Sequence, residues 1–79
     1  MKTRQNFTTS DLYLATYLEL NNIPITFETI NGRVIVTAES SRVLNDLLSQ
    51  YHNDAPVPIL TYTTKLRQLR ARIYMHRTA

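Results

Sequence analysis

The chain has 79 residues, a net charge of +3 and no cysteine. That length makes one domain, residues 1–79, with a marginal core, because so short a chain buries only about 60% of its unfolded surface. Without disulfides or thiolate metal sites, helix packing or a partner subunit must supply the remaining stability.

No apolar run nears the roughly 18 residues of a membrane span, and no signal-peptide pattern follows the charged start. A soluble cytoplasmic protein with no membrane partner is expected. One glycine and three prolines argue against disorder and against a fold built from loops.

In chain order, residues 1–6 lack an apolar pattern and read as a mobile arm. A first helix follows. Thr8 is its expected N-cap, with Asp11 three residues on, and Phe7 and Leu12 stand where a hydrophobic staple forms. Leu12, Tyr13, Leu14, Ala15, Tyr17, Leu18 and Leu20 make more than one stripe, so this helix should pack on two sides. Asn21 or Asn22 takes the left-handed stop position, Ile23 makes the accompanying contact, and Pro24 prevents continuation.

Residues 23–38 form the β-hairpin around which the chain is organised. Asn31-Gly32 is a two-residue type I′ turn, which needs φ > 0 at both positions. The turn fixes the register: Thr29 faces Val34, Phe27 faces Val36 and Ile25 faces Ala38. Those six residues form the core face. The other face, Thr26, Glu28, Ile30, Arg33, Ile35 and Thr37, is polar except for its two isoleucines.

Ser40 or Ser41 caps a second helix, whose apolar face reads Val43, Leu44, Leu47, Leu48 and Tyr51 and which ends near His52. The third helix starts at Pro58 or Ile59. Tyr62, Leu66, Leu69 and Ile73 line its core face, and Ile59 falls on the same face. The expected fold is a small α+β domain, α-β-β-α-α, with a two-stranded antiparallel hairpin packed on helices.

Three blocks, FTTSDLYLATYL, NGRVIV and KLRQLRARIY, occur here in this order and spacing. In them the chain resembles a family of short uncharacterised bacterial and phage domains, from about Phe7 to Tyr74. The FTTSDLYLA opening is the most specific block. The resemblance implies a prokaryotic or phage setting and supports the element order. It implies no activity, ligand or site residue.

Catalysis is the function class with least support. Ser10, Ser40, Ser41 and Ser49 are explained by caps or a wet helix face, and the only histidines are His52, just past a helix, and His76, near the tail. His52 and Asp54 are too few for a closed metal site. Gly32, the only glycine, is needed for the turn, so no phosphate-cradling loop exists. No catalytic, cofactor or metal-ligating residue is assigned, no cofactor is expected, and no small-molecule substrate is evident.

Two binding readings remain. All six acids lie at or before Asp54, while residues 55–79 carry Lys65, Arg67, Arg70, Arg72 and Arg77 with no acid. That asymmetry points to an acidic partner or nucleic acid, contacted through Lys65, Arg67, Arg70 and Arg72. At about 100° per residue, however, these cations flank the core stripe on both sides instead of gathering opposite it. The other reading is an interaction or adaptor module that forms a homodimer. Ile30 and Ile35 would be its contacts, on a hairpin whose strand edges offer unpaired backbone groups. Alternatively the third helix folds back over the Ile30–Ile35 face, and the domain is a monomer.

Overall fold

The computed structural model describes the backbone of residues 6–78 and the side chains of residues 6–76. Its elements are β1 (Asn6–Thr9), α1 (Leu12–Leu20), β2 (Thr26–Ile30), β3 (Arg33–Glu39), α2 (Arg42–His52) and α3 (Ile59–Thr78). The fold is α+β, with the hairpin packed on helices as expected, but the sheet is three-stranded. Its order is β1-β3-β2, antiparallel throughout. No helix among the described residues is long and apolar enough to cross a membrane.

The hairpin has the register that its turn dictates. Asn31 and Gly32 both have positive φ, 53° and 78°, and Phe27 pairs with Val36 and Thr29 with Val34. Strand β1 is the unexpected element. Phe7 pairs with Ala38 and Thr9 with Val36, so β1 covers the second edge of β3. Val36 and Ala38 are buried, and backbone groups buried beside them need hydrogen-bond partners. The chain N-terminal to α1 supplies those partners as strand. Of the residues read as a mobile arm, Asn6 belongs to β1 and the rest lie outside the described residues.

This moves the start of α1. The N-cap is Asp11, not Thr8: the Asp11 carboxylate accepts from the backbone N–H groups of Tyr13 and Leu14 at 3.0 and 3.3 Å. Thr9 supports the cap by accepting from the Asp11 N–H at 3.0 Å. Phe7 is no staple for Leu12. It belongs to β1 and packs half-buried against the α1–α2 core.

The two helix stops are built alike. Asn22 (φ 66°) and Asp54 (φ 62°) take the left-handed position after α1 and α2. The N–H of Ile23 reaches back to Leu18 O, and that of Ala55 to Gln50 O, the long-range bonds of a Schellman motif. Asn21 and Asn53 each donate a side-chain N–H to the carbonyl four residues back, at 2.9 and 2.8 Å. Proline follows both motifs, as Pro24 and Pro56.

Residues 14–18 are all buried, so α1 does pack on two sides. Leu14, Tyr17 and Leu18 join Leu44 and Leu47 of α2 in one cluster. Ala15 joins Ile25, Val36, Ala38 and Leu69 of α3 in the other. Ser41 caps α2 through a bond from the Leu44 N–H. Val43 and Ile59 depart from the expected core faces, at 59% and 65% exposed. Each lies in the first turn of its helix, outside both clusters, where no neighbouring element covers it.

Gly32 tests the turn. A Cβ there would meet nothing within 4 Å, so the cost of substitution lies in the backbone alone. We expect Gly32→Val to lose about 2 kcal/mol or more and Gly32→Asn clearly less, since asparagine tolerates positive φ and a β-branched residue does not. Urea unfolding of both variants reads this. Equal midpoints would contradict the turn geometry.

Candidate interaction surface

Among the described residues, helices cover only one face of the sheet. The molecule spans 43 × 33 × 17 Å, and its short dimension fits one sheet and one helical layer. The opposite sheet face carries Asn6 and Thr8 from β1, Thr26, Glu28 and Ile30 from β2, and Arg33, Ile35 and Thr37 from β3. None of these joins either core cluster. Ile30 is 49% exposed and Ile35 half-buried. Helix α3 does not fold over them, because its Leu69 packs with Val36 and Ala38 on the other face. At the middle of the open face, Thr37 is flanked by Thr8 and Thr26 and is itself buried, with its hydroxyl unpartnered.

The turn also fixes which backbone groups of β2 point outward. A two-residue hairpin makes Ile30 and Arg33 a hydrogen-bonded pair, and such pairs alternate along the ladder. Glu28 then bonds Ile35, and Thr26 bonds Thr37. The N–H and C=O groups of Phe27 and Thr29 are left facing away from β3, at the free edge. Phe27 is also half-buried on the helix side, under the Arg72 guanidinium at 4.9 Å from its ring centroid.

The four cations proposed as a nucleic-acid contact are divided by the structure. Arg72 donates to both carboxylate oxygens of Glu19 on α1, at 3.0 and 2.8 Å, while covering Phe27. Lys65 is half-buried in the same groove, beside Glu19, Ile23 and Pro24. Arg70 lies on the other flank of α3 and donates to the Tyr13 hydroxyl at 3.4 Å. Arg67 is exposed. The partner of Arg72 lies 53 residues away in the chain, and no local pattern announces that pair.

A second concave feature lies where α1, α2 and α3 meet. It is a cleft of about 380 Å³ lined by Tyr17, Tyr51, Tyr62, His52, Asp54 and Val57. Tyr17 donates to Gln50 at 3.2 Å, and Tyr62 donates to the Tyr13 carbonyl at 2.9 Å. Burial pushes the phenols of Tyr51 and Tyr62 above the usual tyrosine range, with the Asp11 charge adding to the shift at both. In the sequence these tyrosines are apolar-stripe residues of three separate helices, and nothing local links residues 17, 51 and 62.

A family model described as "Domain of unknown function (DUF5659)" matches residues 4–75. The chain belongs to that family. No curated protein and no solved structure matches it. An uncharacterised family is what the three sequence blocks implied.

The divided cations give a stability test. Arg72→Gln removes a two-oxygen ion pair and a cation–π contact, both partly exposed, and should cost about 1 kcal/mol. Arg67→Gln should change stability by less than about 0.5 kcal/mol. Thermal unfolding of both variants, with equal losses, would mean that Arg72 does not tie α3 to α1.

Proposed function

We propose that this DUF5659 domain is a non-catalytic interaction module, of bacterial or phage origin, that binds a second copy of itself through the free edge of β2. The observation that carries this reading is that edge: the five-residue strand Thr26–Ile30 has outward backbone groups and a half-buried aromatic ring beside them. Such an edge is a ready template for another strand.

A twofold axis on Phe27 would pair Phe27 with its own copy, Ile25 with Thr29 and Thr26 with Glu28. It would bury both rings and keep the two Glu28 carboxylates from facing each other, as like charges directly opposite are unfavourable. The product is a six-stranded sheet. Ile30 then lies by Pro24 of the second copy, and Ile35 sits one strand behind the seam, on the enlarged open face. The nucleic-acid reading has less support, since Arg72 is engaged with Glu19 and the remaining cations lie on different flanks of α3.

Proline tests the edge, because the Thr29 N–H faces away from β3 and its loss spares the hairpin ladder. Thr29→Pro should stay folded by circular dichroism yet remain monomeric, while the parent dimerises with rising concentration in sedimentation equilibrium. A parent that is monomeric throughout, or a proline variant that dimerises equally, overturns the reading.

A further inference from the structure

The cleft among α1, α2 and α3 lies away from the β2 edge and has a chemistry of its own. Three tyrosines from three helices line it, together with Asp54. Tyr17 and Tyr51 pack with ring centroids 5.6 Å apart and planes tilted by 51°. Among the described residues no lysine or arginine lines it, although the chain as a whole is cationic.

Two further features at the cleft are negative, set against the first turn of α3, whose Tyr62 also lines it. The cleft is at the C-terminus of α2, the negative end of that helix dipole. The Asp11 charge reaches the Tyr51 and Tyr62 phenols. Aromatic rings, a carboxylate and a helix C-terminus all favour positive charge, and the rings accept a cation partly stripped of water.

We propose that this cleft binds an organic ammonium group, carried on an alkyl stem as in a lysine side chain or a small amine. The rings and Val57 take the stem and the face of the cation. Asp54 takes its charge. The left-handed stop after α2 therefore has two uses: it ends the helix, and it puts an acidic residue among those that line the cleft.

The test is a nitrogen-15 NMR titration of the full chain with n-butylammonium, with N-acetyl-lysine amide and with the neutral isostere 1-butanol. Saturable shifts should appear at the amides of Tyr51, His52 and Asp54 with both ammonium probes. Butanol should bind about tenfold more weakly, the size expected for a partly desolvated cation–π contact. Asp54→Asn keeps a residue that accepts positive φ, so it should leave the fold intact and weaken only the ammonium probes. Tyr51→Leu should erase the preference for ammonium over butanol.

Tighter binding of the lysine amide assigns the site to a protein side chain, and equal binding assigns it to a free amine; each supports the proposal. Equal affinity for butanol and butylammonium overturns it, since the cleft is then merely apolar. Shifts scattered outside the cleft, or no saturable shift with either ammonium probe, overturn it too.

Discussion

Helix α1 is buried around its whole circumference from Leu14 to Leu18, and the rest of the structure depends on that burial. One side carries Leu14, Tyr17 and Leu18 into the cluster with α2, and the other sets Ala15 against the sheet and α3. Ala15 and Leu69 are both fully buried where these elements meet, so the small side chain of Ala15 lets α3 and the sheet come close. A 79-residue chain has little core to spare. Here two small clusters share one helix in place of a single large core.

Using α1 in this way leaves the sheet covered on one face only. Among the described residues, all the helical cover goes to the side of Val36 and Ala38, and the Ile30–Ile35 side has none. The bare face and the free β2 edge are thus consequences of the packing. The same packing sets the roles of the basic helix: Arg72 bridges α3 to α1 through Glu19, and Arg70 reaches Tyr13 on the same helix from the opposite flank. These arginines act largely inside the fold.

What could be read from the sequence was what local chemistry decides. The Asn31-Gly32 turn set the hairpin register, the asparagines before Pro24 marked the end of the first helix, and the crowded apolar pattern of α1 announced burial on two sides. Strand β1 was hidden because the reason for it is distant: the second edge of β3, some thirty residues downstream, needs a partner. Thr8 looked like a cap because Thr-x-x-Asp fits the local pattern, but once Thr8 is in a strand the cap passes to Asp11. The tyrosine cleft and the Glu19–Arg72 pair exist only after the helices meet. The outward amides of Phe27 and Thr29, by contrast, follow from the turn alone.

Self-pairing through β2 makes an alternating pattern of amide protection. The Glu28 N–H is already bonded to Ile35 within the hairpin, whereas those of Phe27 and Thr29 are free to bond a second copy. Residue-resolved hydrogen exchange at low and high protein concentration reads this directly. Phe27 and Thr29 should gain protection as concentration rises while Glu28 stays as it was. Protection at Phe27 and Thr29 that does not change with concentration would contradict it.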